Sequence, residues 1–151
     1  MPIDGFEVTR RDVVLMAELR STFVVCLYDA VESGGALLHL RVGPAGRVQE
    51  PEITDTTLTT DLMLLDRCLS ELRQCEPRAK HRQAKVVGQV EDTTGARQRF
   101  EAVETFMAAY LADAEVHLVS CHAHFDCGRL LRFRPAMGHV RSEIAVDPER
   151  Q

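Results

Sequence analysis

The segment from Ser120 to Gly128 reads SCHAHFDCG and places five potential metal ligands, Cys121, His122, His124, Asp126 and Cys127, close together. In an extended strand His122, His124 and Asp126 point to one face, two residues apart. Such a face could supply half of a zinc or iron site. The spacing matches no closed zinc motif, and the Cys-x-x-Cys pair those motifs use is absent. A polar sheet face is the simpler expectation. Metal binding here is the weaker alternative, and no cofactor is expected. His39 stands alone inside an apolar run, Ala36 to Val42, ALLHLRV. A histidine so placed is more often held by packing than used as a catalyst.

Five cysteines occur, at 26, 68, 75, 121 and 127. The odd number, and an N-terminus lacking a basic stretch followed by an apolar one, argue for reduced thiols and a cytoplasmic protein. Cys26, within TFVVCLY, reads as a small core hydrophobe. The formal net charge of −5 disfavours a nucleic-acid partner, which needs a basic surface to replace phosphate counterions. The basic cluster Arg78, Lys80, His81, Arg82 and Lys85 reads as a solvated connection between elements. No stretch approaches the roughly 20 apolar residues of a membrane helix, so no membrane insertion is expected. With neither a GxGxxG nor a Walker A pattern, nothing points to a nucleotide.

The elements that must position these residues follow from periodicity. Residues 12–18, 22–28 and 36–42 are apolar, with many β-branched and aromatic side chains, and Ser33-Gly34-Gly35 supplies a turn between the last two. Three antiparallel, hairpin-like strands are expected, covered on both faces because the runs do not alternate cleanly. A loop over 43–52 precedes a helix whose Leu58, Leu62, Leu65, Leu69 and Leu72 form one stripe, capped by Asp55 or Thr57 and ending before Pro77. A strand at 83–90 and a turn at Asp92-Thr93-Thr94-Gly95 lead to a second helix. Its buried face is expected to carry Phe100, Val103, Met107 and Tyr110, with Phe106 beside them. Strands are expected again at 116–120, 130–133 and 139–146, before a polar tail, DPERQ. The 151 residues fit one domain with one core, without repeat or linker. The order is not a strict βαβ alternation, so a mixed α+β layered domain is expected rather than a doubly wound parallel sheet.

The run Arg20-Ser21-Thr22-Phe23-Val24-Val25-Cys26-Leu27-Tyr28-Asp29 resembles the signature of the chemoreceptor glutamine deamidase (CheD) family, approximately Gly-Ser-Cys-Val-Ala-Val-Cys-Leu-Tyr-Asp. A Gly-Gly and a histidine follow there, as Gly34-Gly35 and His39 do here. His39 lies seventeen residues after Thr22, the family's spacing between nucleophile and histidine. An amphipathic helix, the strand Ala84-Lys85-Val86-Val87-Gly88, the turn Gly95-Ala96-Arg97-Gln98 (with about one inserted residue), the helix at Glu101-Ala102-Val103, and Arg129 and Gly138 extend the likeness over about residues 10–142.

The resemblance implies a layered α/β sandwich with mixed or antiparallel strands and two main helices packed outside. It implies hydrolysis of glutamine side-chain amides on chemoreceptors, and regulation through a CheC-type phosphatase. Thr22 would stand at the nucleophile position and His39 at the general-base position. A cysteine deamidase attacks the amide carbon with a thiolate, uses a histidine to move the proton, and stabilises the oxyanion with backbone N–H groups. This chain keeps the histidine and changes the rest. A threonine hydroxyl is a weaker nucleophile than a thiolate. The family's upstream glycines are Glu18 and Arg20, and its threonine six residues before the nucleophile is Met16. Two of its Gly-Gly pairs read His124-Phe125 and Gly88-Gln89. Cys26 lies about 13 Å further along the strand and does not replace the missing thiol. The expectation is a CheD-like signalling protein with lost or reduced activity, serving as a binding or regulatory module for a chemoreceptor, a CheC-like phosphatase or another protein. An active amidohydrolase using Thr22 with His39 is the alternative.

Overall fold

A computed structural model of the protein describes residues 1–42 and 56–145, with the side chains of 56–60 outside the description. The expected loop at 43–52, a cap by Asp55 or Thr57, the Leu58 side chain and the tail from 147 therefore lie outside the described residues. The elements are β1 (Gly5–Thr9), β2 (Leu15–Leu19), β3 (Thr22–Asp29), β4 (Gly35–Arg41), α1 (Thr56–Cys75), β5 (Arg82–Gln89), α2 (Thr94–Asp113), β6 (His117–His124), β7 (Arg129–Arg134) and β8 (His139–Ile144). The class is α+β, with mixed and antiparallel sheets and two helices.

One sheet has five strands in the order β1-β4-β3-β5-β6. Its pairs are antiparallel except β5–β6, which run parallel. The other sheet is antiparallel, in the order β2-β7-β8. Side chains alternate across a strand, so the central strand β3 serves two cores. Phe23, Val25 and Leu27 join Leu65, Leu69 and Leu72 of α1 and Phe100, Val103 and Met107 of α2. Val24, Cys26 and Tyr28 meet Leu15, Ala17 and Leu19 of β2 and Leu131 and Phe133 of β7. The layers are thus helices, five-stranded sheet, three-stranded sheet. Every residue of β3 is buried: the run from Phe23 to Tyr28 calls for cover on both faces, and the polar ends, Thr22 and Asp29, are hydrogen-bonded.

Three expectations are corrected. The strand anticipated at 12–18 does not pair with β3. It forms at Leu15–Leu19, alternates buried and exposed, and pairs with β7, because it packs across the core on the second sheet. On α2 the deepest position near the end is Leu111, with Tyr110 only partly buried and its hydroxyl bonded to the Asp66 carboxylate. The basic cluster is divided: Arg78 and Lys80 are exposed, while Lys85 lies within β5 and donates to the Gly138 carbonyl at 2.8 Å. β1, which the sequence reading omits, adds an edge to β4 and places Gly5 opposite His39.

Turns and caps are specified locally. Thr93 caps α2, its hydroxyl accepting from the Ala96 N–H at 3.1 Å. Asp29 ends β3 and accepts from the N–H groups of Val31, Glu32 and His81 at 2.8, 3.0 and 2.9 Å. This ties the β3–β4 turn to the start of β5. Gly88 admits the Phe100 ring, which a Cβ there would meet at 2.3 Å.

Candidate functional site

Thr22, His39 and Gln89 lie on three adjacent strands, on the face of the large sheet turned toward the small one. Thr22 opens β3, His39 sits on β4 opposite Val24, and Gln89 ends β5 opposite Thr22. All three are nearly closed to solvent, at 3%, 2% and 5% exposure. The pair that the resemblance would set at the nucleophile and base positions is in contact: the Thr22 hydroxyl oxygen is 2.8 Å from Nε2 of His39.

The direction of that bond follows from the partner of the other ring nitrogen. Nδ1 of His39 lies 3.2 Å from the Met1 carbonyl oxygen. A carbonyl only accepts, so Nδ1 carries the proton and Nε2 of the neutral ring accepts from the Thr22 hydroxyl. The same hydroxyl oxygen accepts from the Arg20 N–H at 3.3 Å. Burial is the largest influence on the ring and holds its pKa below the ordinary histidine range, against the raising effect of the Met1 carbonyl. The arrangement is hydroxyl, base and orienting acceptor, the geometry by which a hydroxyl is readied for attack.

The approach to the hydroxyl is another matter. Ser21, in the turn between β2 and β3, has a left-handed φ of 54°. Its N–H, adjacent to Thr22, donates to Oε1 of Gln89 at 2.8 Å. Nε2 of Gln89 donates to the Asp126 carbonyl at 2.8 Å and the Val90 carbonyl at 3.3 Å. The Gln89 carboxamide is thereby held at both ends between the turn before Thr22 and the β6–β7 connection. Glu18 and Arg20, where the family has glycines, pair with each other at 2.7 Å on the surface. The Arg20 side chain also lies across Gly128, where a Cβ would meet its guanidinium carbon at 2.9 Å.

Cys26 shares the Thr22 face but is fully buried, and desolvation drives its thiol far above the usual range. It is a core residue, as the sequence reading has it. The cysteine–histidine segment does not converge. His122 and His124 lie side by side, ring centroids 4.7 Å apart, and His124 Nε2 meets the Ser142 hydroxyl at 3.1 Å. Cys121 points to the opposite face, against the helix-side core, where burial pushes its thiol up to about 12. β6 ends at His124, so Asp126 leaves the shared face and pairs with Arg129 at 2.5 Å. Cys127 is exposed. Among the described residues, no three His, Cys, Asp or Glu side chains are grouped to hold a metal ion.

Gln89, Ser21 and the Met1 carbonyl are the site groups that the sequence reading leaves unassigned. For Gln89 a signal existed: it ends a strand and stands where the resembling family has glycine. No described helix is long and apolar enough to cross a membrane. Compared with models of known protein families and with the curated proteins, the chain matches none.

Proposed function

We propose that the protein is a CheD-like signal-transduction protein of the chemotaxis type, working in the cytoplasm as a binding or regulatory module with lost or much reduced protein-glutamine deamidase activity. Its partner would be a chemoreceptor or a CheC-like phosphatase. The observation that carries this reading is the closed site. The Thr22–His39 pair is buried, and the neighbouring Ser21 N–H is already taken by an internal carboxamide. The layered α+β arrangement, with two helices on one face of the large sheet, agrees with the resemblance.

A second reading, an active amidohydrolase, is favoured by one specific observation: the 2.8 Å bond from the Thr22 hydroxyl to a neutral His39 ring. In that reaction the hydroxyl oxygen attacks the substrate amide carbon while Nε2 takes its proton. The proton then goes to the departing nitrogen, which leaves as ammonia. Water, deprotonated by Nε2, cleaves the resulting threonyl ester to glutamate.

Mass spectrometry of a receptor cytoplasmic fragment incubated with wild type, Thr22→Cys and His39→Ala separates the two. The binding-module reading expects no glutamine-to-glutamate conversion by wild type. Conversion by wild type that disappears in His39→Ala would overturn it in favour of the amidohydrolase.

A further inference from the structure

Gln89 places a primary carboxamide next to a threonine–histidine pair. Its oxygen accepts from the Ser21 N–H at 2.8 Å, one residue from the Arg20 N–H that serves the Thr22 hydroxyl at 3.3 Å. Its nitrogen spends both protons, on the carbonyls of Asp126 and Val90 at 2.8 and 3.3 Å. A carboxamide offers two donor hydrogens and a carbonyl acceptor, and this one is recognised at both ends by backbone groups. Backbone donors and acceptors at these positions fit a carboxamide in one orientation, oxygen toward the β2–β3 turn and nitrogen toward the β6–β7 connection. A carboxylate would face two carbonyl oxygens where the nitrogen now lies.

We propose that Gln89 is an internal ligand: its carboxamide fills the subsite beside Thr22 that a glutamine side chain of a substrate or partner protein would fill, and it holds the site shut. The proposal rests on the reading of Thr22 and His39 as the counterpart of a deamidase site, and it assigns that site's regulation. A glutamine from outside would have to displace Gln89 from the Ser21 N–H. Opening the site therefore requires the Gln89 side chain to leave the Ser21 N–H and the Asp126 and Val90 carbonyls.

A thiol introduced by Thr22→Cys reports occupancy without any need for deamidation. Iodoacetamide is the probe, since it carries a primary carboxamide of its own. The introduced sulfur displaces iodide from the reagent, and the carbamidomethyl thioether that forms is followed by peptide mass spectrometry in the folded protein. Thr22→Cys alone is expected to react slowly. Thr22→Cys combined with Gln89→Ala, or with Gln89→Ser, is expected to react about tenfold faster or more. Thr22→Cys with Gln89→Met, which keeps the side-chain volume and removes the hydrogen bonds, is expected to stay close to the slow rate. Two results would overturn the proposal. One is equal rates with and without Gln89. The other is a methionine variant as fast as the alanine one, which would mean that loosening the turn, rather than vacating the subsite, exposes the thiol. The alanine and serine variants back each other up should one fail to fold. Absence of receptor deamidation in every variant would count against the functional reading alone, because alkylation proceeds without it.

Discussion

Thr22 and His39 stand on diagonal positions of two neighbouring strands, and the threonine hydroxyl donates to Nε2 of the imidazole at 2.8 Å while the opposite ring nitrogen is held by the Met1 carbonyl. Both groups are buried, so each supplies the other's hydrogen bond in a place where water does not.

Thr22→Val keeps the shape and deletes the hydroxyl. It leaves Nε2 of His39 unpaired in the core and is expected to destabilise the fold by about 1–3 kcal/mol. Thr22→Ser, which keeps the donor, should lose much less. Urea denaturation of the three proteins checks this. A valine variant as stable as wild type would mean that the bond contributes nothing.

The His39 ring is held below its ordinary pKa, first by burial. The unfolded chain takes up a proton near pH 6.5, where the folded chain does not. Stability contributed by the neutral ring is therefore fully present above about pH 6.5 and falls as pH drops from there through the folded pKa. His124 is shifted in the same direction, by burial and then by Arg129 and His122. Denaturation midpoints between pH 8 and pH 5 should decline in wild type and decline less steeply in His39→Gln, with a residual slope from His124. Parallel slopes would contradict the assignment.

Asp29 is a buried carboxylate that accepts three backbone N–H groups. Burial alone would raise its pKa, but the N–H bonds of Glu32, Val31 and His81 outweigh it and hold the carboxyl below the ordinary range. Its contribution is present above about pH 4 and is lost as pH falls through the lowered folded value. Asp29→Ala leaves three donors without their acceptor and is expected to cost about 2–4 kcal/mol, flattening the acid limb of the stability profile. Thermal unfolding from pH 7 to pH 3 measures both effects.

Gly88 lies beneath the Phe100 ring, and a methyl group there would come within 2.3 Å of it. Gly88→Ala is expected to destabilise by about 1–3 kcal/mol through overpacking. Phe100→Leu in the same chain should recover part of the loss, since a smaller side chain gives the methyl room. A double variant no better than the sum of the single ones would show that the two positions do not interact.

Local chemistry in the sequence determined a good deal. The apolar, β-branched run of β3 announced a strand buried on both faces, and the leucine spacing after residue 56 announced α1. Ser33-Gly34-Gly35 marked the β3–β4 turn, and Asp92-Thr93-Thr94-Gly95 marked the turn before α2, within which the structure makes Thr93 the cap. The resemblance, not local chemistry, drew attention to Thr22 and His39, and antiparallel pairing of β3 with β4 brought the two into contact. Tertiary structure alone decided which strands became neighbours and what covered each face. β2 crossed to β7 in the second sheet, β6 ran parallel to β5, and Gln89 came to lie across from Thr22 with its carboxamide on the Ser21 N–H. The end of β6 at His124 separated Asp126 and Cys127 from the histidines that a continuous strand would have kept beside them. The physical reason is that alternation along a strand states which side chains share a face. The partner strand, its register and the layer packed above are set by long-range contacts that local sequence does not encode.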